Sequence, residues 1–166
     1  CLAGFGWSSS PSKCTACTAG LYSDQTSDGA CKDCKDQAAT GEVSGSMTSL
    51  DNSARDAAGD CVPTQCAKGY GYANHACSQC GTTQFSDTTN NAACKACKAE
   101  ATAGEHATSM TTRDTTRDEA ADCVPTKCLA GFGWSSSPSK CTACTAGLYS
   151  DQTSDGACKD CKDQAA

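Results

Sequence analysis

The sequence predicts a small disulfide-rich fold: tandem cysteine-rich modules in an extended rod or solenoid-like array, made of short β-hairpins and loops with little helix. Three observations carry that expectation. Seventeen of the 166 residues are Cys, a density that belongs to disulfide scaffolds. Large apolar side chains are scarce, with 5 Leu, 3 Val, 3 Phe and no Ile, well below the roughly 20% under which a chain does not fold by apolar burial alone. The 38% hydrophobic fraction is mostly 27 Ala and the Cys themselves. Finally, the chain copies itself.

Residues 128–166 repeat residues 1–39 letter for letter, a period of 127. That unit is itself double. Cysteine-rich repeat A (residues 1–65) carries Cys1, Cys14, Cys17, Cys31, Cys34 and Cys61, and repeat B (66–127) carries Cys66, Cys77, Cys80, Cys94, Cys97 and Cys123. The partial copy of A at 128–166 supplies Cys128, Cys141, Cys144, Cys158 and Cys161 and stops before a sixth, which accounts for the odd total. No initiator Met, signal peptide or anchor signal is seen, so the chain reads as a window cut from a longer array.

Each copy opens with Cys, Gly and aromatics: Cys1, Gly4, Phe5, Gly6 and Trp7, matched by Cys66, Gly69, Tyr70, Gly71 and Tyr72. A C-x2-C pair follows, then an aromatic-Ser-Asp stretch (Tyr22, Ser23, Asp24; Phe85, Ser86, Asp87), then a second C-x2-C pair. Gly and Ser/Asp clusters between single aromatics read as turns and brief hairpins. A Cys-free polar segment, Lys35 to Asp60 or Lys98 to Asp122, leads to the closing Cys-Val-Pro-Thr. Within it, Leu50 to Ala58 and Arg113 to Ala121 read equally as one or two helical turns or as irregular loop.

Four thiolates spaced C-x2-C, 13 residues, C-x2-C can ligate zinc, but that would leave two Cys per copy unused, whereas three bridges consume all six. Disulfides are therefore expected, and with them a location outside the cytosol, extracellular or at the cell surface. Six Cys allow 15 connectivities. A crossed scheme (Cys14 with Cys31, Cys17 with Cys34, and Cys61 with Cys1 or Cys66) is preferred to a sequential one (Cys1 with Cys14, Cys17 with Cys31, Cys34 with Cys61).

The stretch CTAGLYSDQTSDGACKDC, following Cys-x2-Gly-aromatic, resembles growth-factor-receptor-type cysteine-rich repeats. The Ala/Thr/Ser-rich tandem copies as a whole resemble the surface (immobilisation) antigens of ciliates. That resemblance implies a secreted, typically lipid-anchored coat protein without enzymatic activity.

Other chemistry has little support in the residues. A net charge of −6 argues against nucleic acid, and no apolar run approaches the ~20 residues of a membrane span. The two His, at 75 and 106, do not recur between copies. There is no G-x-S-x-G elbow. Asp24, Asp28, Asp33 and Asp36 lack the spacing of a calcium loop. No catalytic residue, cofactor or metal site is expected. No N-x-[ST] sequon occurs, but Ser8, Ser9, Ser10, Thr111, Thr112, Thr115 and Thr116 are candidate O-glycosylation acceptors, making glycans a partner alongside further copies of the chain. The function expected is structural, a surface coat or self-assembling filament of head-to-tail modules. The alternative is a receptor-like or adhesive rod that binds a partner through its polar segments.

Overall fold

The structure is a computed structural model that describes residues 1–9, 12–26, 28–50, 54–136 and 139–164. Its regular structure is two-stranded antiparallel hairpins joined by turns and three- or four-residue 3-10 helices. This is the expected outcome for short runs punctuated by Gly, Ser and Asp, each too brief to nucleate an α-helix.

Each full repeat contains three hairpins. In repeat A they pair Phe5–Ser9 with Ser12–Ala16, Leu21–Tyr22 with Lys32–Asp33, and Met47–Ser49 with Cys61–Pro63. In repeat B they pair Tyr70–Ala73 with Ala76–Gln79, Gln84–Phe85 with Lys95–Ala96, and Met110–Thr112 with Cys123–Pro125. The third copy shows the first two, Phe132–Ser136 with Ser139–Ala143 and Leu148–Tyr149 with Lys159–Asp160. Of the two stretches left open between helix and loop, Leu50 to Ala58 and Arg113 to Ala121, the described residues are loop except at the C-terminal ends, where the 3-10 turns Ala58–Asp60 and Ala120–Asp122 begin; residues 51–53 lie outside the described residues.

The bridges follow the sequential scheme throughout: Cys1–Cys14, Cys17–Cys31 and Cys34–Cys61; Cys66–Cys77, Cys80–Cys94 and Cys97–Cys123; Cys128–Cys141 and Cys144–Cys158. The crossed preference is thus corrected. Cys14 lies in the second strand of the opening hairpin, opposite Trp7, and Cys17 follows three residues along extended chain. An odd step along extended backbone points two side chains to opposite sides. One sulfur of each C-x2-C pair therefore turns back to the preceding loop and the other forward. Cys161 is free and exposed. Thiol titration of the unfolded, unreduced chain should therefore find one thiol; seventeen would remove the basis of the fold.

The buried centre of a module is one aromatic ring on a bridge. In repeat B, Phe85, Cys97 and Met110 cluster, with Ala101, Ala120 and Cys123 against them. In repeat A, Tyr22 is 3% exposed and Cys34 is fully buried. The polar segment is the cover of this centre. In the third copy Tyr149 is half-buried and Leu148 exposed.

One arginine fastens each cover. Arg55 has a left-handed backbone (φ 54°), its carbonyl accepts the Ser23 amide at 2.9 Å, and its guanidinium donates to the Cys17 carbonyl at 2.8 Å and to Ser49 Oγ at 2.9 Å. Arg117 repeats this with φ 54°, the Ser86 amide and the Cys80 carbonyl. There the Ser49 equivalent is Thr112, whose hydroxyl donates to the Thr82 carbonyl instead, and among the described residues Arg117 Nε has no hydrogen-bond partner. Removing charged hydrogen bonds from a part-buried carbonyl and hydroxyl costs about 2 kcal/mol. Left-handed φ costs a non-Gly residue ~1 kcal/mol. Arg55→Ala should therefore destabilise repeat A, and Arg55→Gly by less, as read by hydrogen exchange at the Ser23 amide; equal losses would deny the backbone strain.

The chain divides into two compact units, Cys1–Gln79 with Thr88–Ala93, and Cys80–Asp87 with Cys94–Ala166. The first holds repeat A and the opening hairpin of repeat B. The second holds most of the rest of repeat B with the third copy. Sequence repeat and compact unit are out of phase because each opening hairpin packs on the module before it.

Candidate interaction site: the junction between modules

The contact that binds an opening hairpin to the preceding module lies within each unit and occurs twice. Its base is a tight turn in the polar segment. Glu42 folds back so that its carboxylate accepts the Ala39 amide at 2.8 Å, and Glu105 accepts the Thr102 amide at 2.8 Å. Between them sit Gly41 and Gly104, with φ of 85° and 87°. Two constraints meet at this glycine. The backbone is left-handed, which L side chains avoid, and a Cβ there would overlap the ring of Tyr70 or Phe132.

The next module docks on this turn through backbone as well as ring. The Ala67 amide donates to the Gly41 carbonyl at 2.9 Å, and the Leu129 amide to the Gly104 carbonyl at 2.8 Å. Glu42 bridges Cys66, and Glu105 bridges Cys128, in antiparallel fashion. The Val43 amide reaches the Gln65 carbonyl at 3.3 Å, and the His106 amide the Lys127 carbonyl at 3.1 Å. Cys66 and Cys128 are fully buried as a result. Because backbone groups make most of these bonds, Tyr70 and Phe132 interchange, and so do Val43 and His106.

A second recurrent feature lies beside the aromatic at each module centre. Lys32 donates to Asp24 at 2.6 Å and stands 5.7 Å from the Tyr22 ring; Lys95 does the same with Asp87 and Phe85. Lys159, Asp151 and Tyr149 form a looser third instance. The Lys32 hydrogen bond holds the Asp24 carboxyl below its usual 3.8, and Asp24 in turn holds Lys32 above 10.5. Asp33 and Asp114 are also lowered, chiefly by the backbone amides of Lys35 and Arg117.

A lowered carboxyl adds stability above its unfolded pKa that is lost as pH falls through the folded value. A raised Lys adds stability below 10.5 that is lost as pH rises past its folded value. These pairs are exposed, so the effects are small. Thermal stability of the bridged protein should be flat from roughly pH 5 to 9 and decline at both ends. A steep slope inside that window, followed by calorimetry, would contradict the assignment.

The remaining sequence candidates are not gathered into a site. Asp24 and Asp33 are committed to Lys32 and Lys35. Among the described residues no group of three His, Cys, Asp or Glu is placed to hold a metal. Tyr72 Oη and His75 Nδ1 are 3.4 Å apart at an exposed hairpin turn. Of the candidate glycan acceptors, Ser9, Thr115 and Thr116 are exposed, while Ser8, Thr111 and Thr112 are half-buried. The Thr111 and Thr112 hydroxyls donate to the Thr82 carbonyl. Ser10 lies outside the described residues.

The junction glycines, their glutamates and the two arginines were not singled out from sequence. The signal was there but not distinctive: aligning repeat A on repeat B matches Gly41-Glu42 to Gly104-Glu105 and Arg55 to Arg117, in segments that also share Met47 with Met110, Asp56 with Asp118 and Asp60 with Asp122. No protein-family model matches the chain, and no curated protein matches it. Fold and junctions together define a small disulfide-rich protein consistent with tandem cysteine-rich modules. Its dense bridging fits an extracellular, disulfide-stabilised protein, and no helix among the described residues is long and apolar enough to cross a membrane.

Proposed function

We propose that this chain is a non-enzymatic structural protein of the cell exterior, the material of a surface coat or filament built from head-to-tail modules. The observation that carries this reading is the doubled junction. A heterologous contact that recurs with the same backbone bonds, Ala67 to Gly41 and Leu129 to Gly104, can propagate, because each module both offers and receives it. Covalent loops make each module resistant to proteases and to the loss of any single weak contact. The resemblance to ciliate surface antigens supports the coat, and glycans on Ser9, Thr115 and Thr116 would fit an exposed outer face.

Electron microscopy of native material tests the proposal. A layer or fibre with a regular axial repeat supports it, with the spacing expected to follow the 127-residue period. Dispersed single molecules, together with a soluble partner captured at one polar segment, would favour the adhesive alternative and overturn the self-assembled material.

A further inference from the structure

Repeat B departs from repeat A at several positions that surround one cavity. Its floor is Ala96 and the buried Met110, and its rim is Thr83, Gln84, Lys98 and Thr108, all exposed. The cavity holds about 340 Å³ and lies inside one compact unit, in the module that has a neighbour on each side in the chain. Aligned on the cysteines, Thr83, Gln84 and Thr108 stand where repeat A has Gly20, Leu21 and Gly45. Three hydrogen-bonding side chains thus occupy positions that carry none in repeat A. The acids change in the opposite sense, with Ala96 and Ala99 in place of Asp33 and Asp36. In repeat A, Asp33 pairs with Lys35 at 3.1 Å. Its counterpart Lys98 pairs with no carboxylate among the described residues. Glu100, the acid on the same 3-10 turn, does not line the cavity.

The walls are tied down. The Thr82 carbonyl accepts the Thr112 amide and the Thr111 and Thr112 hydroxyls, and the Cys97 amide donates to the Thr83 carbonyl at 2.9 Å. Thr108 Oγ1 is 3.1 Å from His106 Nδ1. Rim groups already held in place lose less freedom when a ligand arrives.

We infer that this cavity in repeat B binds the carboxylated sugar of an acidic glycan. Lys98 takes the carboxylate in a charge-assisted hydrogen bond. The Thr83 and Thr108 hydroxyls and the Gln84 amide, each both donor and acceptor, meet the ring hydroxyls. Ala96 and Met110 receive the apolar C–H face of the ring. The volume is at the small end of ligand sites, which suits one sugar ring. An acidic peptide fits less well, because the strands beside the cavity, Gln84–Phe85 and Lys95–Ala96, are two residues long and give an extended chain no edge to join. The site adds a ligand to the structural role and does not rest on self-assembly.

Nuclear magnetic resonance titration of the full bridged chain with glucuronate tests this. Saturable shifts are expected at the Thr83, Lys98 and Thr108 amides, with a Kd on the order of 1 mM, while the Gly20, Lys35 and Gly45 amides of repeat A stay still. Glucose, which lacks the charge, and acetate, which lacks the ring, should each bind about tenfold more weakly or less. Ala96→Asp gives Lys98 the partner that Lys35 has, and repeat A shows that this acid also caps the turn, through the Lys35 amide. This variant and Lys98→Gln should each weaken glucuronate about tenfold. Hydrogen exchange at the Cys97 amide checks that both remain folded. No saturation, equal shifts in repeat A, or full affinity in both variants overturns the site. Acetate or glucose binding as well as glucuronate overturns the carboxylated sugar, and an oligoglutamate peptide that binds more tightly replaces it with an acidic peptide. None of these results touches the coat or filament reading, which microscopy tests separately.

Discussion

Complete reduction and alkylation should unfold the chain, abolishing amide protection in both units and making Lys and Arg sites uniformly cleavable by trypsin. The loops closed by the bridges have sequence separations from 11 to 27. Each such loop removes roughly 3 kcal/mol of unfolded-chain entropy in the chain-entropy treatment. Three per module amount to about 9 kcal/mol, which is the size of the whole stability of an ordinary domain. The apolar contribution left behind is one buried ring and one Met per module, Phe85 and Met110 in repeat B. That is too little to hold some sixty residues against their conformational entropy. A reduced, alkylated chain that keeps its protection and its heat resistance would refute this account. Partial reduction should be graded: exposed Cys14 should be alkylated before buried Cys34, Cys97 and Cys128.

Gly104→Leu should open the second junction and leave the modules on either side bridged. Two costs add at this position. A branched side chain at φ 87° is strained by about 1–2 kcal/mol, and its Cβ displaces the Phe132 ring, losing apolar burial worth about 1–2 kcal/mol. The joint should therefore be weaker by about 2–4 kcal/mol. Hydrogen exchange measures this directly, as faster exchange of the Leu129 and His106 amides, which donate across the joint. The Arg113 and Cys97 amides, bonded within repeat B, should be unchanged. Gly41→Leu should act in the same way on the Ala67 and Val43 amides. Full protection at Leu129 in Gly104→Leu would show that the ring and turn do not hold the joint.

The same pair of positions separates what the sequence exposed from what it concealed. Hairpins at Phe5–Ser9 and Tyr70–Ala73 were readable, because aromatics set between glycines and a Cys can be little else in a chain without helical periodicity. The polar segments were read as having little to bury. They bury little of themselves, but they bury Tyr22 and Phe85, and that role belongs to the surface they cover.

The sequence by itself determined the modules, their six-Cys spacing, the reliance on bridges and the scarcity of helix, since these follow from composition and from a pattern repeated along one dimension. Only the tertiary structure decided which sulfurs pair, where Arg55 and Arg117 reach, and which glycine each ring needs. Pairing depends on the direction in which each sulfur leaves the backbone, and that direction is fixed by hairpin register. The arginine and glycine contacts join residues that are tens of positions apart, so nothing in the local pattern marks them until the chain has folded back on itself.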